Sequence, residues 1–146
     1  FIIMGAKIYP SLTFNGNCEE AFNFYKSVFG GEFSYLARFK EMPKAEGMPG
    51  FPQELNEKVM HVALPIGDNY MLSGNDYGDP RQKLIVGNNM SILIYADTKE
   101  EADRLFKALS AGGKVKMPMA ETFWNAYYGI FVDKFGIEWM INVDLH

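Results

Sequence analysis

Apolar positions along this chain recur at two periods, and the periods alternate in the same order twice. Lys7–Phe14 sets Ile8, Leu12 and Phe14 on one face and reads as a strand. Asn15-Gly16 turns the chain. Asn17 reads as an N-cap with Glu20 as its capping-box partner, and Ala21, Phe24, Tyr25 and Val28 follow at helical spacing until Gly30-Gly31. Glu32–Lys40 alternates as a second strand. Glu57–Ile66 is a third, Gly67-Asp-Asn69 a hairpin turn, and Tyr70–Ser73 a fourth. The order then repeats. Asn89–Ala96 is a strand, and Thr98 caps a helix with Glu101 as capping-box partner. The helix carries Ala102, Leu105, Phe106 and Leu109 as its buried stripe and ends at Gly112-Gly113. Three strands close the chain: Lys114–Met119, Asn125–Val132 and, after the turn Asp133-Lys-Phe-Gly136, Ile137–Val143. In that last strand Glu138, Met140 and Asn142 face one way, and Ile137, Trp139, Ile141 and Val143 the other.

Two echoes strengthen the repeat. Glu19-Glu-Ala21 with Tyr25-Lys26 matches Glu100-Glu-Ala102 with Phe106-Lys107, an offset of 81 (100 − 19). Gly67-Asp-Asn-Tyr-Met-Leu72 matches Gly136-Ile-Glu-Trp-Met-Ile141, an offset of 69 (136 − 67). Two echoes in one order predict a tandem duplication. The extra 12 residues (81 − 69) fall in the first copy, at the Pro- and Gly-rich loop Glu41–Asn56. The expected fold class is α+β, two βαβββ modules at 7–76 and 89–143 within a single domain, 4–146. Gly74–Gln82 is the expected link between the copies. Phe1-Ile-Ile3 before Met4 is too short for a signal peptide and reads as an appended remnant.

Composition narrows the function classes. The net charge of −4 disfavours nucleic-acid and anionic-membrane surfaces, and no apolar run reaches a membrane-spanning length. The single cysteine, Cys18, excludes an internal disulfide and suits the reducing cytoplasm. In the first helical turn the dipole can lower its pKa, but with no His or second Cys near in sequence it reads as a packing residue. Aromatic residues make up 15% of the chain, which calls for a large core or an aromatic-lined cavity. No nucleophile elbow, phosphate loop or Cys-rich zinc spacing is present.

The module pattern resembles the vicinal oxygen chelate superfamily, which includes the glyoxalase I, bleomycin-resistance and extradiol-dioxygenase families. Particular residues resemble its PhnB-like branch: Tyr9-Pro-Ser-Leu-Thr-Phe14, Glu20-Ala21 with Phe24-Tyr25, Val28-Phe-Gly-Gly31, and His61 in its strand. Phe123-Trp124, Tyr128-Gly129 and Asp133-Lys-Phe-Gly136 with Trp139 complete the match. The resemblance implies curved mixed sheets around a cavity and a homodimer. PhnB-like proteins often carry a demethylubiquinone methyltransferase label, which the sequence does not support, having no Gly-rich nucleotide loop after its first strand. Metal-using members place ligands on the first and last strand of each module. Those positions hold Pro10, Met71, Ser91 and Met140, with Ser73 and Glu138 one or two residues away. They lack the His and carboxylates a divalent ion needs, so no metal or other cofactor is expected.

His61, between Met60 and Val62 in an apolar strand, reads either as a core or cavity-lining histidine or as a polar anchor for ligand. Glu121, Glu138 and Asp76 are candidates for a second titratable group. Trp124, Tyr127 and Tyr128 either stack on a planar ligand or fill core. The resulting expectation is a small-molecule-binding protein whose ligand meets Trp124, His61, Tyr128, Met140 and Glu138. The alternatives are a metal-dependent lyase, isomerase or dioxygenase, or a drug-sequestering resistance protein. Partners are a small molecule and a second copy, with no nucleic acid and no membrane.

Overall fold

The computed structural model describes residues 5–43, 50–79 and 81–146. It divides into two compact units, with the boundary between Leu84 and Ile85. The remnant reading of 1–3 and the middle of the 41–56 loop lie outside the described residues.

The first unit contains β1 (Ser11–Phe14), α1 (Cys18–Phe29), β2 (Tyr35–Arg38), β3 (Val59–Ile66) and β4 (Tyr70–Asp76). Its sheet runs β1-β4-β3-β2, with β1 parallel to β4 and the other pairs antiparallel. The second unit contains β5 (Ile92–Tyr95), α2 (Lys99–Ser110), β6 (Lys114–Glu121), β7 (Ala126–Val132) and β8 (Glu138–Asp144). Its sheet runs β5-β8-β7-β6, again with one parallel pair, β5 with β8. Each unit is thus a βαβββ module with a four-stranded mixed sheet, and the helices keep the offset of 81 (99 − 18). Strands β1, β2 and β5 are shorter than their alternation predicts, and β4 extends through Asp76 into the expected link.

Each helix covers one face of its own sheet. In the first unit Ala21, Phe22, Tyr25 and Val28 are buried against β3 and β4. Phe22, rather than the expected Phe24, fills the stripe. It lies over Gly74, where an added Cβ would meet the Phe22 ring at 2.4 Å. In the second unit Ala102, Leu105 and Leu109 pack toward β7 and β8, whose Phe131, Trp139 and Ile141 are fully buried. The Phe106 and Phe131 rings meet edge-on at 4.9 Å. Each fully buried aliphatic or aromatic side chain of this kind contributes about 1.5–3 kcal/mol.

The N-terminus of α1 departs from its expected capping box. Asn17 makes no side-chain cap bond. Asp76, at the far end of β4, does the work instead: Gly16 N donates to its Oδ1 at 2.9 Å and Cys18 N at 3.0 Å. Val59 N donates to Oδ2 at 2.9 Å, so one carboxylate ties α1 to β3. Cys18 is fully buried beside it. Burial, then the Asp76 and Glu19 charges, push the thiol's pKa well up, opposite to the lowering that the dipole alone predicts. At α2 the cap is local, with Thr98 accepting from Glu101 N, but the Glu101 carboxylate turns to Arg104 instead of completing a box.

Candidate ligand-binding face of the second sheet

Residues alternate across each strand, so the face of the second sheet away from α2 can be read from the register. Leu93 pairs with Met140, Met140 with Ile130, and Ile130 with Met117. Tyr95 pairs with Asn142 and Asn142 with Tyr128. These side chains share a face with Glu138, the arrangement that the alternation of the last strand predicts. Leu93, Tyr95 and Met117 on this face are exposed.

Aromatic rings close one end of this face. Trp124 is 49% exposed and Phe123 is 96% exposed. The two rings meet edge-on at 4.9 Å, and Trp124 meets Tyr128 at 5.8 Å. The loop before β7 holds them out. Asn125 adopts a positive φ of 61°, and Thr122 and Ala126 exchange hydrogen bonds across the turn. Trp124 is therefore no core tryptophan. Trp139 is, with its indole bonded to Asp133.

Polar groups close the other end. Ser91 Oγ donates to Glu138 Oε2, and Lys116 Nζ donates to Glu138 Oε1. The Lys116 bond, then the Ser91 bond, hold the Glu138 carboxyl below its usual pKa. Lys116 reaches across β7 because β6 is bulged there. Val115 pairs with Phe131 and Met117 with Ile130, which leaves Lys116 as an extra residue. Alternation along the sequence could not reveal this bulge, and so could not single out Lys116.

The remaining candidates lie elsewhere. His61 stands in the first unit. It is exposed, which rules out the core reading, and its ring lies 5.6 Å from that of Tyr35. Tyr127 donates to Asp103 Oδ1 at 2.7 Å and carries Lys99 over its ring, so it serves the α2 side. Glu121 pairs with Lys99 at the surface. Asp76 lines a polar pocket of about 370 Å³ with Gly16, Glu19, Arg38, Glu57, Lys58 and Val59. Its groups bond one another: Arg38 grips Glu19 at 2.8 and 3.0 Å and the Glu57 carbonyl at 2.7 Å, and Lys58 donates to Gly16 O at 2.9 Å. This pocket fastens the start of α1 to β2 and β3.

Of the four positions that the resemblance implies for metal ligands, Pro10, Met71 and Met140 carry no hard donor and Ser91 only a hydroxyl. The nearby Glu138 carboxylate is already bonded by Ser91 and the Lys116 ammonium, so these donors do not fit a divalent ion. Among the described residues no three His, Cys, Asp or Glu side chains gather as a ligand set. No helix is long and apolar enough to cross a membrane among those residues.

Comparison with known proteins adds the family context. A family model described as 3-demethylubiquinone-9 3-methyltransferase matches residues 6–142. Protein YjdN of Escherichia coli (strain K12) is 36% identical over 140 residues, 92% of each chain. Protein PA1353 from Pseudomonas aeruginosa superposes with a TM-score of 0.84 at 38% identity, covering 96% of this chain and 98% of that one. A PhnB protein from Bacillus cereus, described as a putative 3-demethylubiquinone-9 3-methyltransferase, gives 0.70 at 26% identity over 94% and 99%. A glyoxalase/bleomycin resistance protein/dioxygenase family enzyme from Burkholderia phytofirmans shares the fold at 18% identity, with a TM-score of 0.61 over 94% and 97%.

Proposed function

The chain belongs to the family described as 3-demethylubiquinone-9 3-methyltransferase, the PhnB-like branch of the vicinal oxygen chelate superfamily, and on that premise we propose that it binds a planar small molecule on the second sheet. The observation that carries this reading is Trp124, half exposed and braced edge-on by Phe123 and Tyr128 at the end of an apolar face. A braced ring loses little freedom when a ligand stacks on it. Met140 and Ile130 supply the wall beside it, and Glu138 a polar contact. His61, with Tyr35 beside it, is a separate candidate polar contact on the first sheet. Methyl transfer gains no support, because β1 leads into Asn15-Gly16-Asn17 rather than a glycine-rich nucleotide loop.

The test is a thermal-shift screen of flat aromatic compounds, drug-like antibiotics included, against the wild type and Trp124→Ala. A ligand that binds only the native state raises its melting temperature. A compound that stabilises the wild type and not Trp124→Ala supports the reading. Equal stabilisation of both proteins removes it.

A cytoplasmic, homodimeric protein of two duplicated modules completes the proposal. The free, buried thiol of Cys18 suits a reducing compartment. The common strand order of the two sheets supports duplication. Ile85, Val86 and Met90, each more than 70% exposed, support a second copy as cover. Sedimentation as a monomer at micromolar concentration would remove the dimer.

A further inference from the structure

The trio at the far end of the proposed face has a chemistry of its own. Glu138 is the central member, its side chain 14% exposed. One oxygen accepts from Ser91 and the other from Lys116, so each keeps a second lone pair. Lys116, 48% exposed, keeps two further N–H donors. Acceptor and donor therefore stand side by side, and their formal charges cancel. From Asn142, beside Tyr128, back to Glu138 is four strand positions, roughly 13 Å at about 3.3 Å per residue. Leu93, Met140, Ile130 and Met117 fill that interval with apolar surface.

We infer that Lys116, Glu138 and Ser91 form a neutral hydrogen-bonding terminus that selects an elongated ligand with a planar ring at Trp124 and an uncharged hydroxyl at its other end. This rests on the proposal that the face binds ligand. A hydroxyl suits the trio because one oxygen both donates and accepts. It donates to a spare lone pair of Glu138 and accepts a spare proton of Lys116. Ser91 already shows a hydroxyl accommodated there. A ligand carboxylate would meet Lys116 but also the Glu138 charge, with no net positive charge to offset its desolvation. An ammonium meets the converse problem. Lys114, in the same row at the exposed edge of the sheet, sits in water, where its charge is screened.

Three matched probes test this: 6-(2-naphthyl)hexan-1-ol, 6-(2-naphthyl)hexanoic acid and 6-(2-naphthyl)hexan-1-amine. Calorimetric titration at pH 7 gives their affinities for the wild type, Glu138→Gln, Lys116→Gln and Trp124→Ala. The wild type is expected to prefer the alcohol by about tenfold over both charged probes, one unit on a logarithmic affinity scale. Glu138→Gln leaves the ammonium uncompensated and is expected to shift the preference to the carboxylate. Lys116→Gln leaves the carboxylate uncompensated and is expected to shift it to the amine. A structural role alone would lower melting temperature without reordering the probes. If the wild type binds all three probes alike, and only Trp124→Ala weakens them, the face stands and the trio's role falls. If the wild type binds none, both fall.

Discussion

The indole Nε1 of Trp139 donates to Asp133 Oδ2 at 2.8 Å, with both residues buried. The other carboxylate oxygen accepts Phe135 N at 2.8 Å and Ile137 N at 3.1 Å. Asp133 N in turn donates to Ile137 O at 2.8 Å. One aspartate therefore closes the β7–β8 turn from inside and anchors the largest side chain of the second core. The turn fixes the strand register, and the register fixes which side chains of β8 face Tyr128 and Lys116.

Asp133→Ala should be among the most damaging single changes. It leaves an indole N–H and two amides without their acceptor, at a cost of about 3–5 kcal/mol. Trp139→Phe keeps an aromatic ring but loses volume and the N–H, and should cost about 2–4 kcal/mol. Urea unfolding measures both. A loss below about 1 kcal/mol for Asp133→Ala would show that the turn is held by something else.

A second expectation separates the two candidate caps of α1. Asn17→Ala should change stability by no more than about 0.5 kcal/mol, because its side chain caps nothing. Asp76→Ala removes the acceptor of three backbone amides and should cost more than about 2 kcal/mol. Equal effects in urea unfolding would return the capping role to Asn17.

The contrast between Asn17 and Asp76 shows where the sequence was legible. Caps, turns and faces set by near neighbours were readable: Thr98 at α2, Gly30 after α1, and the alternation of Glu138, Met140 and Asn142. The module order followed from them. Asp76 is 60 and 58 positions from the two amides it holds at the start of α1, and no local pattern reveals that distance. The echo of Tyr70 with Trp139 misled in the same way. Tyr70 is 74% exposed and Trp139 fully buried, although both follow a turn glycine by three residues. Ile66 pairs with Tyr70 across a shorter turn than the one between Val132 and Glu138, and only the longer turn carries Asp133. Lys116 was invisible for another reason. A bulge breaks the period of two from which faces are read, and the register that shows it exists only after β6 and β7 pair.

Two glycines should resist even a methyl group. At Gly129 an added Cβ would stand 2.6 Å from Met119 Sδ and 2.9 Å from the Phe106 ring. At Gly74 it would stand 2.4 Å from the Phe22 ring and 2.9 Å from the Leu12 carbonyl oxygen. Gly74→Ala has rigid neighbours on both sides and should cost about 1–3 kcal/mol by overpacking. Gly129→Ala should cost less, because its shortest contact, the Met119 side chain, can swing aside, and the Phe106 ring that remains stands at 2.9 Å rather than 2.4 Å. Thermal unfolding of the two variants gives the order. The reverse order would mean that Phe22 has room to move.

Acid should weaken the fold through carboxylates that the native state holds ionised. The Arg38 hydrogen bonds lower the Glu19 carboxyl, and those from Lys116 and Ser91 lower that of Glu138. A folded pKa below the unfolded one means that the native state binds fewer protons between the two values. The stabilising contribution is therefore complete above the unfolded value, about 4.3 for glutamate, and fades as pH falls through the lowered folded value. Glu19→Gln and Glu138→Gln remove the linkage. Between pH 7 and 5 each variant should run parallel to the wild type and below it. Under about pH 4.5 the wild type should lose stability faster, and the curves should converge. The shift should be larger at low salt for Glu19, whose side chain is 46% exposed, than for Glu138 at 14%. Urea midpoints between pH 3 and 7 check this, and curves that stay parallel to pH 3 would show that neither ion pair outlives solvation in the native state.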